Sequence, residues 1–147
     1  MKYTSPFCLV ALLVVLSLPA QSTAQELPYK EGTVWELTFV RTKPGMENDY
    51  LRNLAAVWRN ENEEAKKQGL ILSYKILSGL AATEDDWDLL LMIEYKNMAA
   101  LDGIGEKYNA IDVKIAGSPE QQKAGVNKRG EMRVILGDKL VREITLK

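Results

Sequence analysis

The apolar positions after residue 32 change period along the chain, and each change predicts a new element. Residues 33–41 alternate between apolar and polar side chains, which is the period of a half-buried β-strand. Residues 46–68 repeat apolar side chains every three to four positions and end before Gly69, which predicts one long amphipathic helix. Alternation returns over residues 70–78 and predicts a second strand.

The third predicted strand, residues 87–96, has a different pattern. Positions 89–93 are apolar without interruption, and a strand that is apolar at every position is covered on both faces. The helices of this chain can cover one of these faces. A partner subunit is the simplest cover for the other face, so the pattern predicts a central strand and a homodimer.

The next part of the chain contains two helix starts. Asn97 suits the N-cap of a short helix over residues 98–107. Ser118 is followed by a proline and, three residues on, by Gln121, which is the composition of a capping box with proline at the first helical position. This arrangement predicts a further helix that ends at about residue 128.

The last two apolar stretches, residues 131–136 and 139–146, are strand-like and are separated by Gly137 and an aspartate. They form either a hairpin or one long strand with a bulge at Gly137. The element order is then strand, helix, strand, strand, helix, strand, which is the βαββαβ order of the ferredoxin-like fold. The sequence therefore predicts an α+β domain with an antiparallel sheet, helices on one face, and the first and third strands at its centre.

The start of the chain has the layout of a secretory signal peptide. A short positive start precedes an apolar run over residues 7–18, and small residues at 22–24 suit a signal peptidase. The run is too short to cross a bilayer core as a helix; a retained N-terminal anchor is the alternative. We expect residues 1–24 to be a signal peptide, 25–32 a flexible lead-in and 33–147 a single domain. The mature protein would then be secreted or periplasmic, with no membrane span after cleavage.

The composition of the chain excludes several kinds of catalytic and binding chemistry. The chain has 19 Lys and Arg against 20 Asp and Glu, a net charge of −1, so nothing concentrates positive charge for nucleic acid. It has no histidine, and its one cysteine, Cys8, lies in the predicted signal peptide. A Ser-His-Asp triad, a His-ligated metal and, after cleavage, thiol chemistry are therefore excluded. We expect no metal, no cofactor and no nucleic-acid partner.

Two segments of the sequence carry a family resemblance. The first strand runs into the turn at residues 41–45 and then to Tyr50 on an amphipathic helix, and the block 87–95 is followed by residues 97–101. In these features the chain resembles the dimeric α+β barrel superfamily, over roughly residues 33–146. The resemblance implies a homodimer in which the sheets of two subunits pack face to face.

The resemblance also implies where a ligand would lie. Members of the superfamily commonly bind small molecules between the helices and the sheet, and they include cofactor-independent monooxygenases, isomerases and haem-degrading enzymes. The haem degraders that resemble this fold rely on a histidine ligand, which this chain lacks. No catalytic set of the monooxygenases matches this sequence residue by residue.

Four side chains are candidate ligand-binding residues: Arg41, Tyr50, Trp58 and Tyr74. Arg41 stands at the end of the first strand, where its planar guanidinium could hold a carboxylate or form a surface or interface ion pair. The three aromatic side chains could stack on a planar ligand or fill the core between helix and sheet.

Three functions are compatible with these observations. The leading hypothesis is an exported homodimer that binds a small apolar or aromatic ligand. The alternatives are a cofactor-independent monooxygenase or isomerase, which leaves the question of an enzyme open, and a non-catalytic interaction module. A pocket lined by the candidates favours ligand binding or catalysis, whereas a filled helix–sheet interface favours the module. The acidic residues 84–88 and the basic stretch 123–133 are assigned to solvated surface.

Overall fold

The computed structural model describes residues 26–147, and the predicted signal peptide lies outside the described residues. Within this range the chain forms a four-stranded sheet and four α-helices. None of these helices is long and apolar enough to cross a membrane. The elements in chain order are β1 Tyr29–Thr42, α1 Glu47–Ala56, α2 Trp58–Lys67, β2 Ser73–Ser78, β3 Leu89–Tyr95, α3 Ile104–Ala116, α4 Pro119–Met132 and β4 Arg133–Leu146.

The sheet has the strand order β2-β3-β1-β4, and every neighbouring pair is antiparallel. With the helices between β1 and β2 and between β3 and β4, this is the ferredoxin-like arrangement. The predicted α+β class is therefore confirmed. The first and third strands lie at the centre of the sheet, as the uninterrupted apolar run of β3 indicated.

The first and last strands are both 14 residues long. β1 begins at Tyr29, inside the segment expected to be a flexible lead-in, because its first residues pair with the end of β4. β4 is one continuous strand, so the hairpin alternative is wrong. Phe39 pairs with Gly137 but Val40 pairs with Ile135, which leaves Leu136 as the extra residue of a bulge.

The predicted helix over residues 46–68 is interrupted at Val57. This residue has φ −116° and ψ −72°, outside helical values, so that α1 ends at Ala56 and α2 begins at Trp58. The side-chain amide of Asn60 donates to the Ala56 carbonyl at 2.8 Å, next to the interruption. A period of three to four continues through such a break, which is why the pattern indicated a single helix.

The segment expected to form one short helix over residues 98–107 also has two parts. Asn97 is the N-cap as predicted, but it caps a 3₁₀ turn, Met98–Leu101, by accepting from the Ala100 N–H at 3.1 Å. Gly103 then takes φ +66°, a left-handed conformation that ends the turn before α3 begins. The capping box at the start of α4 is present as predicted, and this helix continues to Met132.

The core lies between the helices and one face of the sheet. Its buried residues come from both layers: Val34 and Val40 of β1, Leu89, Leu91 and Tyr95 of β3, and Tyr50, Leu54, Ala65, Ile71, Ile111 and Met132 elsewhere. Even-numbered positions of β1 therefore face the helices. This layer holds the candidate site described below.

The opposite side of the sheet, which we call the open face, is also apolar. Leu37 lies opposite Met92, and Phe39 lies opposite Leu90, so these side chains share the face that the helices leave uncovered. Lys75 Nζ lies 4.3 Å from the centre of the Trp35 ring on the same face. Within residues 26–147 no helix packs on this face, where Leu37, Phe39 and Met92 are half-buried and Leu90 is 8% exposed.

Candidate functional site

The sequence candidates fall into two places. Arg41 lies at the rim of the open face, where its guanidinium is 3.9 Å from Asp88. Asp88 also accepts two hydrogen bonds of 3.0 Å from the Thr42 backbone N–H and one from the Thr42 hydroxyl. The rim cleft lined by these residues has about 700 Å³, but the Asp88 carboxylate in it is already occupied by protein donors. Arg41 is therefore apart from the three aromatic candidates.

The three aromatic candidates lie together under the helices. Tyr50 is 1% exposed in the core. Trp58 packs edge-to-face on Tyr74, with 5.2 Å between the ring centres. The Tyr74 hydroxyl donates to Glu63 at 2.6 Å, and desolvation together with this carboxylate raises the pKa of Tyr74 to about 12. Tyr74 thus supports Trp58 and has its own hydroxyl engaged.

Tyr50 and Trp58 line a cavity of about 230 Å³ between the helices and the sheet, which we call the helix–sheet cavity. An adjoining space of about 320 Å³, the interhelical cavity, lies among α2, α3 and α4. Four residues line both spaces: Asn53, Val57, Glu61 and Arg129. The helix interruption at Val57 therefore lies where the two cavities adjoin.

The helix–sheet cavity also holds two guanidinium groups that the sequence analysis assigned to solvated surface. Arg129 of α4 and Arg133, the first residue of β4, are both half-buried and both line it. The Arg133 guanidinium lies 5.4 Å from the centre of the Tyr50 ring. Burial raises the pKa of Tyr50, and the positive charge of Arg133 opposes that rise. The sequence did contain a signal for the placement of Arg133, because strand alternation puts it on the same face of β4 as the apolar Ile135.

Two buried polar atoms lack a hydrogen-bond partner among the described residues, and both belong to residues that line this cavity. They are Asn53 Oδ1, an acceptor, and Arg133 Nε, a donor. Buried side-chain atoms of this kind are paired in most proteins, because an unpaired one loses the hydrogen bonds that water supplied. Both residues line the cavity, whereas the two atoms themselves are enclosed by protein.

Two carboxyl groups meet at the junction of the cavities. Burial raises the pKa of Glu61 to about 7, and the nearby Asp112 carboxyl adds to the rise through repulsion and a hydrogen bond, while Arg129 opposes it. Burial also raises the pKa of Asp112. The pair therefore holds one proton near neutral pH. No group of three or more metal-ligating side chains occurs within residues 26–147.

A separate set of hydrogen bonds, the polar network, joins β1 to β3 and α2 to α3. The Tyr95 hydroxyl donates to Glu36 at 2.9 Å, and the Tyr108 hydroxyl donates to Asn62 Oδ1 at 3.1 Å. Asn62 in turn donates to the Trp58 carbonyl at 2.8 Å. Burial is the main reason that the pKa values of both tyrosines are raised. Because these donors and acceptors are paired, the network is part of the scaffold that holds Trp58 in place.

Comparisons with known proteins give distant matches among solved structures. No protein-family profile and no curated protein matches it. A dimeric protein of unknown function with a ferredoxin-like fold from Bacteroides fragilis shares 13% identity, over 78% of this chain and 97% of its own, with a TM-score of 0.41. A dimeric ferredoxin-like protein from an uncultured marine organism shares 11% identity, over 80% of this chain and 90% of its own, with a TM-score of 0.48. The ferredoxin-like fold of this chain is defined by its own strand order.

Proposed function

We propose that the protein is a homodimer in which each subunit binds a small planar aromatic molecule in the helix–sheet cavity. The observation that carries the proposal is a cavity between the helices and the sheet whose lining combines the aromatic rings of Tyr50 and Trp58 with two arginines, Arg129 and Arg133. A filled core would leave no such space. This favours ligand binding over an interaction module.

The size and lining of the cavity suit such a ligand. A cavity of about 150 Å³ is enough for benzene, and the helix–sheet cavity has about 230 Å³. Tyr50 and Trp58 offer ring surfaces, and Leu54 and Leu91 add aliphatic walls. The apolar walls would hold the body of the ligand, and the polar atoms would fix its orientation.

The open face supports the homodimer. Leu37, Phe39, Leu90 and Met92 form a continuous apolar strip across the two central strands, and within residues 26–147 no helix covers it. Surfaces of this kind mark interaction sites, and two sheets pack face to face when their inner faces are apolar. Light scattering on the purified protein should give the mass of two chains, and a monomer would overturn this part of the proposal.

The ligand proposal can be tested with fluorine NMR on protein labelled with 5-fluorotryptophan. The chain has three tryptophans, of which Trp58 lines the cavity and Trp35 and Trp87 lie away from it. Titration with 2-naphthol should shift the Trp58 resonance to saturation and leave the other two resonances unchanged. No saturable shift at Trp58, or equal shifts at all three tryptophans, would contradict binding in the helix–sheet cavity.

A cofactor-independent monooxygenase or isomerase is the second candidate. It is favoured by Glu61, a cavity residue that can exchange a proton near neutral pH. Oxygen uptake with anthrone or a quinol is the assay for the oxygenase, and turnover should fall sharply in Trp58→Ala. A rate equal to that of buffer, unchanged by this substitution, would exclude the oxygenase for these substrates.

Export is proposed from the composition of residues 1–24. The protein recovered from its own host should begin at Gln25, as read by mass spectrometry of the intact chain. A chain that keeps its first residues would instead support the retained anchor.

A further inference from the structure

We propose that the ligand of the helix–sheet cavity is a small aromatic carboxylate, and that Glu61 takes up one proton when it binds. The inference rests on the proposed function and specifies its ligand class. It starts from Arg129 and Arg133, the two guanidinium groups that line the cavity.

Neither guanidinium has a carboxylate within 4 Å among residues 26–147, whereas Arg41, Arg52 and Arg142 each have one. Arg133 Nε is buried and has no partner. A guanidinium offers a planar fork of N–H donors that matches a carboxylate. A carboxylate at this end of the cavity would therefore supply the planar hydrogen-bond acceptor that these guanidinium groups lack.

The same end of the cavity contains the proton-binding pair. Glu61 faces Asp112 and Tyr108 of α3 and Arg129 of α4, and it shares the cavity wall with Arg133 and Asp138 of β4. With Glu61 neutral, the two guanidinium groups balance Asp112 and Asp138. With Glu61 ionised, these five side chains together carry one excess negative charge, and an entering carboxylate would add a second.

Repulsion between the bound carboxylate and Glu61 therefore favours the protonated form of Glu61. In the free protein the pKa of Glu61 is about 7, so at pH 8 this side chain is mostly ionised. Binding of a carboxylate at pH 8 should then draw up to one proton from the buffer. A neutral aromatic molecule of the same shape should draw none.

Isothermal titration calorimetry measures this proton directly, because the heat of binding in phosphate and in Tris differs by the heat of buffer ionisation. The probes are 2-naphthoate and 2-naphthol, at pH 8. For the wild type we expect uptake approaching one proton per 2-naphthoate and none for 2-naphthol. In Glu61→Gln the uptake should vanish, and in the matched control Glu64→Gln, which removes an acid outside both cavities, it should persist.

The arginine variants test the carboxylate itself. Arg129→Met and Arg133→Met should each weaken 2-naphthoate binding about tenfold or more and change 2-naphthol binding much less. Two variants are used so that one remains if the other fails to fold, as judged by circular dichroism. Loss of both ligands to the same degree would overturn the carboxylate assignment.

The outcomes separate this inference from the proposed function. Binding of 2-naphthol without binding of 2-naphthoate would overturn the inference and leave the proposed function intact. Binding of neither ligand would contradict both. Binding of 2-naphthoate with no proton uptake, or with the same uptake in Glu61→Gln, would overturn the role of Glu61 alone.

Discussion

The Asp88 carboxylate stabilises the end of β1 at the rim of the sheet. It accepts from the backbone N–H and the hydroxyl of Thr42, a residue that is itself buried, and it lies 3.9 Å from Arg41. We expect Asp88→Ala to cost about 2 kcal/mol, because it leaves buried donors of Thr42 without an acceptor. Urea unfolding measures the change. Asp85→Ala, an exposed neighbour, should have almost no effect, and equal losses in the two variants would contradict the argument.

Glu61 predicts an unusual dependence of stability on pH. Its pKa rises from 4.5 to about 7 on folding, so between these values the folded chain holds a proton that the unfolded chain has lost. Its contribution therefore favours folding fully below pH 4.5 and is lost as the pH rises to 7. Glu61→Gln should be more stable than the wild type at pH 8 by about 1 kcal/mol, after allowance for partial exposure, and the gain should disappear near pH 4.

The control for this prediction is Glu64→Gln on the same helix. Lys114 and Gln68 lower the pKa of Glu64 through hydrogen bonds, so its pH dependence should have the opposite sign or be too small to see. Urea unfolding of both variants and the wild type at pH 4 and pH 8 provides the comparison. A Glu61→Gln variant that is less stable than the wild type at pH 8 would show that the ionised carboxylate stabilises the fold.

At the residue scale, the aromatic part of the site could be predicted and the charged part could not. Tyr50 and Trp58 share a helix face eight residues apart, and this spacing places both in the helix–sheet cavity. Arg129 and Arg133 stand in a stretch of mixed charge whose pattern indicates solvent. Their half-burial depends on the path of α4 over the sheet, which the local sequence does not contain.

At the scale of elements, the turn before α4 depends on a glycine. Gly117 has φ +87°, and a Cβ added there would collide with the Gln121 side-chain oxygen. That oxygen accepts from the Ser118 N–H at 2.8 Å and forms half of the capping box. Gly117→Ala should therefore cost about 1–2 kcal/mol through backbone strain and loss of the cap.

The matched substitution is Gly130→Ala. Gly130 lies within α4, has no positive φ, and has no atom within 4 Å of an added Cβ. Alanine there should leave stability unchanged or raise it by up to about 1 kcal/mol. Thermal unfolding of both variants gives the comparison, and a Gly117→Ala variant as stable as Gly130→Ala would show that the turn tolerates a side chain.

Elements were predictable where a local signal defines them and less so where a distant partner does. Ser118 and Gln121 form the predicted cap within four residues of chain. The interruption at Val57 and the early start of β1 were not indicated. The first residues of β1 are in a strand because β4 extends beside them, and a long-range pairing of this kind leaves only a weak trace in the sequence.

At the scale of the whole molecule, the central strands require more cover than one chain provides. β1 and β3 are apolar on both faces, and the helices cover one of them. Within residues 26–147 the other face has only side chains over it, such as the Lys75 ammonium over Trp35 and the Trp87 ring against Phe39. The uninterrupted apolar run at positions 89–93 indicated this second cover from sequence alone. The geometry of the proposed dimer was not predictable, because it would depend on how two sheets meet across a surface.

The last prediction concerns the proposed homodimer. Leu37 lies at the middle of the open face, opposite Met92, so Leu37→Glu would place a charge between the two packed sheets. Because an unpaired buried charge is costly, light scattering should show a monomer, with the circular dichroism of the wild type. Val113→Glu adds the same charge on the helix layer, where Val113 is 50% exposed, and this variant should remain a dimer. If both variants keep the mass of two chains, the dimer uses another surface, and the apolar strip on the open face needs a different partner.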